Sequence, residues 1–192
     1  MSASRQRGFY YDQEACIGCC ACQMACKDLH DHPVGVNWRR VTTLEFGRYP
    51  RPEVVHLSIS CNHCEQPPCV DACPNAAFVK HPWDGAVVLS ASDCVVCLEC
   101  ISACPYGAIQ MDPTTGTVGK CDLCERLTMR GQEPACVAAC PMDALKLVWL
   151  DECSTEVVPL RGLPDPSLAQ PSLRVRPHRH GLSTDSARDS TD

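Results

Sequence analysis

Large side chains are scarce in this sequence: aromatic residues fill only 5% of its 192 positions. A core built from so few large groups is thin for that length, so something else must help hold the fold together. No run of 18 apolar residues occurs, which excludes a membrane-spanning helix. The opening residues, MSASRQRGFYYDQE, lack an apolar stretch of signal-peptide type, so no export signal is expected. Arg39-Arg40 is a twin arginine by letters only, because it lies inside the chain with no apolar run after it. A basic excess is also missing: the net charge is −6, which argues against nucleic acid as a partner. The local basic run SLRVRPHRH (172–180) reads as a partner patch or, equally, as solvated tail. Catalytic signatures are absent too, with no G-x-S-x-G, no glycine-rich phosphate loop and no H-E-x-x-H. No catalytic residue is expected, and the chain is not expected to be an enzyme on its own.

What is abundant is cysteine, 18 in all. A chain this rich in cysteine is a disulfide scaffold or a metal carrier, and without an export signal the metal is favoured. Sixteen of the 18 fall into four groups. Group one is Cys16-x2-Cys19-x2-Cys22-x3-Cys26, and group two is Cys61-x2-Cys64-x4-Cys69-x3-Cys73-Pro74. Group three is Cys94-x2-Cys97-x2-Cys100-x3-Cys104-Pro105, and group four is Cys121-x2-Cys124-x11-Cys136-x3-Cys140-Pro141. Three groups end alike, in CPNAAF, CPYGAI and CPMDAL, so the chain is built from a repeated unit. Cys20 and Cys153 are left over and read as buried structural thiols rather than ligands.

Between the groups the secondary structure is expected to be slight. VVHLSIS (54–60) alternates apolar Val55, Leu57 and Ile59 with polar His56, Ser58 and Ser60, the period of a half-buried strand. With NWRRVTTLEF (37–46) and the Gly/Pro stretch between them it reads as a β-hairpin leading into group two. GAVVLSAS (85–92) and TTGTVGK (114–120) look like shorter hairpin pieces. Helices are expected as short turns following each group. Beyond Asp151 the chain is rich in proline and poor in large apolar side chains, so this tail should not form a core of its own. It is expected to lie extended across a partner or to be disordered, as STDSARDSTD at its end should be.

The spacing C-x2-C-x2-C-x3-C-P is the bacterial ferredoxin signature. Three thiolates on a curled loop take three corners of one 4Fe–4S cube, and the fourth serves a neighbouring cube. Zinc sites instead use two C-x2-C pairs separated by 15–20 residues. Sixteen ligands at four per cube make four clusters, and the groups must then associate in twos; the spacing leaves open which twos. With about −2 on each ligated cube, the four sum to about −8, which the surrounding backbone N–H groups must meet. His63, inside the first pair of group two, reads as a hydrogen-bonding residue at a cluster edge or a partner contact rather than a Rieske-type ligand. His56 reads as exposed, and Trp38, Trp83 and Trp149 as packing residues.

In CNHCEQPPCVDACPNAA, CLECISACPYGA and KCDLCERLTMRGQEPACVAACPMDAL the sequence resembles the iron–sulfur (beta) subunit of the dimethyl sulfoxide reductase family. These are the 4Fe-4S ferredoxin-type electron-transfer subunits of molybdopterin oxidoreductases, and the resemblance runs from residue 8 to about residue 150. It implies a small, loop-rich α+β fold of two nested bacterial-ferredoxin-like modules with β-hairpin insertions and an extended C-terminal tail. Residues 8–60 and 117–150 would form the outer module, 61–116 the inner one and 151–192 the tail. The implied ligand sets are Cys16/Cys19/Cys22/Cys140, Cys26/Cys121/Cys124/Cys136, Cys61/Cys64/Cys69/Cys104 and Cys73/Cys94/Cys97/Cys100. Some relatives replace a group-three ligand and hold a three-iron cluster; here Cys94, Cys97 and Cys100 are all present, which implies four cubes.

The implied function is relay of single electrons between a quinol-oxidising membrane anchor, near the inner module, and a molybdopterin catalytic subunit, near the outer one. Localisation would be at the membrane through a partner, the periplasmic side favoured because export in the family commonly rides on the catalytic subunit's signal. The rival readings are the equivalent subunit of a thiosulfate, polysulfide or tetrathionate reductase or of a formate dehydrogenase, a stand-alone polyferredoxin, and a zinc protein. Two departures from the family stand out: Cys20 is an extra thiol inside the first motif, and the region from 31 to 60 is short.

Overall fold

The alternation in residues 54–60 produces the longest hairpin of the computed structural model, which describes residues 5–155 and 157–182. Strand β2 (Arg40–Arg48) pairs antiparallel with β3 (Arg51–Ile59), from Arg40 opposite Ile59 to Arg48 opposite Arg51. Val55, Leu57 and Ile59 are buried as their period demands. Ser58 and Ser60, on the other face, are buried as well, because the side chain of Arg39 covers them and donates to both hydroxyls. The two shorter hairpins also form, β4 (Phe78–Lys80) with β5 (Val87–Leu89) and β6 (Gln110–Met111) with β7 (Val118–Gly119).

A three-stranded sheet gathers the chain's distant parts. Strand β1 (Arg7–Asp12) lies at its centre, antiparallel to β8 (Leu145–Trp149) and parallel to β9 (Leu173–Arg176). Strand β9 belongs to the Pro-rich segment. Although the composition of that segment points to a partner surface or disorder, residues 157–182 lie across their own chain, where Leu160, Ala169, Leu173 and Val175 are buried beside Phe9 and Tyr11. The stretch 172–180 is therefore a strand and its exit, not a free basic patch. STDSARDSTD falls outside the described residues.

Among the described residues five short α-helices complete the fold: α1 (Ala21–Leu29), α2 (Pro68–Asp71), α3 (Glu99–Ala103), α4 (Glu125–Thr128) and α5 (Ala135–Ala138). None of them starts after its cysteine group: α2, α3, α4 and α5 lie inside groups, α1 begins inside group one, and all but α4 carry cysteines, namely Cys22 and Cys26, Cys69, Cys100 and Cys136. The Cys-Pro ending explains this, since the residue before a proline is pushed out of the helical region and α2, α3 and α5 stop short of it. Group one has no such proline, and its helix runs nine residues. Helix α1 packs on α5 and α2 on α3, so groups one and four meet, as do groups two and three. No helix among the described residues is long and apolar enough to cross a membrane.

Candidate metal centres

The repeat in sequence is matched by a repeat in backbone. Two residues after the first cysteine of each group stand Gly18, His63, Val96 and Leu123, and all four have positive φ, from 44° to 67°. Three residues after the closing cysteine of groups two, three and four stand Ala76, Gly107 and Asp143, also at positive φ. Left-handed backbone at a non-glycine residue is costly, about 1–2 kcal/mol. Its recurrence at equivalent positions means that each loop must curl inward, which turns successive thiols towards a common centre.

The cysteines gather accordingly. Cys61, Cys64, Cys69 and Cys104 line one cavity, and Cys73, Cys94, Cys97 and Cys100 line another. Cys104 thus faces the thiols of group two, and Cys73 those of group three. In the other half of the molecule Cys26, Cys121, Cys124 and Cys136 sit within electrostatic reach of one another. Cys16, Cys22 and Cys140 pack against the larger core, and Cys19 is exposed.

Tetrahedral zinc at about 2.3 Å from four sulfurs would bring those sulfurs to about 3.8 Å from each other. Among the described residues the only trio of potential ligand atoms within 4.8 Å of one another is His30, Asp122 and Cys124, and no three cysteines come that close. Four thiols to each of the two cavities are the donor set of an iron–sulfur cube. His30 Nε2 stands 3.9 Å from Cys124 Sγ and 3.8 Å from Asp122 Oδ1, at the rim of one cage.

Burial pushes the thiols of Cys26, Cys64 and Cys69 up to about 12 and that of Cys124 up to about 11, with repulsion from neighbouring cysteines adding to it. Cys121 rises well above its ordinary value for the same reasons. Such groups keep their protons at neutral pH unless a metal displaces them.

Two buried cations, which the sequence had not singled out, complete the site. Arg39 lies between β3 and the cages of groups one and four, its guanidinium 4.4 Å above the Phe9 ring. It donates to Ser58 Oγ (3.1 Å) and Ser60 Oγ (2.9 Å), and Ser58 Oγ lies 3.4 Å from Cys22 Sγ. Burial opposes its charge, yet Cys136, Cys121 and Cys22 outweigh burial and raise its pKa. Lys120 Nζ donates to the carbonyls of Val87 and Cys121. The only hint in sequence is position: Arg39 directly precedes the hairpin that leads into the Cys61 loop, and Lys120 directly precedes Cys121.

His63 is buried at the edge of the Cys61 cavity, where its Nδ1 accepts from the Val87 N–H (3.0 Å), so hydrogen bonding and not a partner contact is its role. His56 is half-buried rather than exposed, its ring packed against Gly18. Trp38 packs against the stacked rings of His30 and His32. Trp149 lies under Arg5 and Arg7, while Trp83 is mostly exposed, stacked only on His81. Cys20 and Cys153 are half-buried, not buried; Cys20 caps α1 in the left-handed region and donates weakly to Gly18 O.

The 4Fe-4S dicluster domain family matches residues 52–149. An anaerobic dimethyl sulfoxide reductase chain of Haemophilus influenzae is 38% identical over 95% of this protein and 95% of its own length. Its namesake in Escherichia coli is 36% identical over 93% and 92%. A sulfite dehydrogenase subunit of Allochromatium vinosum is 37% identical over 72% of this protein and 67% of its own length. The relatives are iron–sulfur subunits of oxidoreductase complexes, electron-carrying rather than catalytic. With thiol-only cages, curled cysteine loops and full-length similarity, this protein belongs to the iron–sulfur subunit family of dimethyl sulfoxide reductase.

Proposed function

We propose that this chain relays single electrons through four 4Fe–4S clusters, between a quinol-oxidising membrane anchor and a molybdopterin catalytic subunit of a dimethyl sulfoxide reductase-type complex. The clusters, when bound, supply one-electron redox chemistry; the chain's own residues hold them, exclude water and present them to partners. The ligand sets are Cys16/Cys19/Cys22/Cys140, Cys26/Cys121/Cys124/Cys136, Cys61/Cys64/Cys69/Cys104 and Cys73/Cys94/Cys97/Cys100, in an outer module of residues 8–60 and 117–150 and an inner one of 61–116. The observation that carries this is the crossing of fourth cysteines: Cys104 lines the cavity of group two, and Cys73 that of group three. Packing of α1 on α5 supports the same exchange between groups one and four.

The two ends of the relay are read from exposure, and their polarity from the family resemblance. Of the sixteen ligands only Cys19 and Cys97 are exposed, one in each module. Exposed apolar side chains lie next to both in the chain: Ile17 near Cys19, and Val95 and Val96 just before Cys97. Cys19 is read as the port to the catalytic subunit and Cys97 as the port to the anchor, on the periplasmic side. Near full-length similarity to chains of dimethyl sulfoxide reductase favours that system over a sulfur-oxyanion or formate complex.

Cys104→Ser tests the exchange. In the purified chain it should abolish or convert the cluster of Cys61, Cys64 and Cys69 and leave that of Cys94, Cys97 and Cys100 intact, as read by EPR and iron count. Loss of the group-three cluster instead would overturn the ligand sets.

A further inference from the structure

The chain carries 23 acidic and 17 basic residues, yet its interior reverses that balance. Among the described residues the buried formally charged side chains are Arg39 and Lys120, and no carboxylate is buried. Neither cation has a carboxylate partner among the described residues. An isolated buried charge costs several kcal/mol, and an apolar side chain of similar volume would normally serve better. Two unpaired cations persist only where the interior itself supplies negative charge.

Their positions say where that charge lies. The Arg39 guanidinium stands within electrostatic reach of Cys136, Cys121 and Cys22, while Cys26 and Cys124 feel its charge in turn. Through Ser58 it is also linked to Cys22. It therefore lies between the Cys16 and Cys26 ligand sets. Lys120 bonds the Cys121 carbonyl, and its charge acts on Cys69 and on His63. It lies between the Cys26 and Cys61 sets. Among the described residues no comparable buried cation adjoins the Cys73 set, whose Cys97 opens to solvent.

We propose that Arg39 and Lys120 are resident counter-ions of the electron path, each shared by two successive cluster sites and each raising the reduction potential of both. This rests on the four-cluster reading above. A cation near a redox centre favours the state with one more electron, so removing it lowers the potential. A purely structural role, tying β3 to the cages or filling space, does not require the charge.

The test is an EPR-monitored redox titration of the iron-loaded full chain. Wild type should show four one-electron steps; fewer would overturn the four-cluster reading, and the inference with it, before any variant is compared. Arg39→Gln should lower two steps, each by at least tenfold in the reduced-to-oxidised ratio at fixed potential, or about 59 mV. Lys120→Met should lower two steps by a similar factor. The pattern is diagnostic: one step moves in both variants, one in each alone and one in neither. Either variant with full iron and four unmoved steps overturns the proposal, as does a uniform shift of all four. Should a neutral variant lose iron, Arg39→Lys and Lys120→Arg decide. Full iron with steps near wild type supports a requirement for charge; iron loss in these variants too assigns the role to shape and overturns it.

Discussion

Gly18 sits where a side chain would be wrong twice over. Its φ is +67°, and a Cβ there would come within 2.4 Å of the His56 ring. Gly18→Ala should therefore destabilise the iron-loaded protein by more than the ~1–2 kcal/mol of left-handed strain alone, and adding His56→Ala should recover the excess but not the strain. Thermal loss of iron–sulfur absorbance in the two variants measures both parts; equal midpoints would show that the ring is not in the way. The thiols make a second prediction at this scale. In iron-free chain, Cys26, Cys64 and Cys69 hold their protons up to about pH 12, against 9.0 for an ordinary thiol. Their contribution to stability is then complete below pH 9 and is lost as pH rises towards 12, because the unfolded chain releases protons first. Reduced, iron-free protein should melt at falling temperatures above about pH 9, while the loaded chain, whose ligands are already thiolates, should not; parallel profiles would contradict ligation by these residues. The cysteines were legible because spacing alone identifies them. The cations and the curled loops were not. Nothing in the letters of Val96 or Leu123 signals left-handed backbone, and the pair Arg39-Arg40 in a polar-looking segment gives no sign that the first of the two is enclosed.

Among the elements, β9, whose sequence gives little sign of a strand, fastens the Pro-rich segment to the rest of the chain. Its neighbouring residues brace the group-two loop: Glu65 N–H donates to Gln170 O, Ser172 N–H to Asn62 O, and Ser172 Oγ to His63 O. Leu173 and Val175 close the larger core over Phe9 and Tyr11. Leu173→Ala should cost about 2–5 kcal/mol, as for other buried leucines. Deleting residues 159–192 should cost more and should release iron first from the Cys61 set, whose loop loses its brace. Time-resolved iron release with EPR checks the order; loss beginning at the Cys73 set would contradict it. The hairpins were readable because period and turn residues are local signals. Strand β9 was not, since it has four residues and its partner β1 lies more than 160 positions earlier. Helix placement was missed for a related reason: the prolines that end the groups set where helices stop, and the sequence does not show that each begins within the group.

At the scale of the whole molecule, the fold is a small hydrophobic frame around inorganic cores, which answers the scarcity of aromatic side chains. On the function proposed above, the exposed Cys19 and Cys97 would give the frame its two contacts with partners. Ile17→Glu should weaken binding of the catalytic subunit at least tenfold, about 1.4 kcal/mol, and leave the anchor's affinity and the iron content unchanged. Val95→Glu should do the converse. Binding measured against each partner separately checks this, and exchanged effects would reverse the polarity of the relay. The family was legible from cysteine spacing and the three quoted segments; the ports were not, because spacing alone does not show which cage opens to solvent. The most direct measurement is the iron and acid-labile sulfide content of anaerobically purified protein, with EPR after reduction. About sixteen irons and as many sulfides per molecule, with interacting 4Fe–4S signals, are the expected result for four clusters. About eight irons, or bound zinc without labile sulfide, would contradict the account.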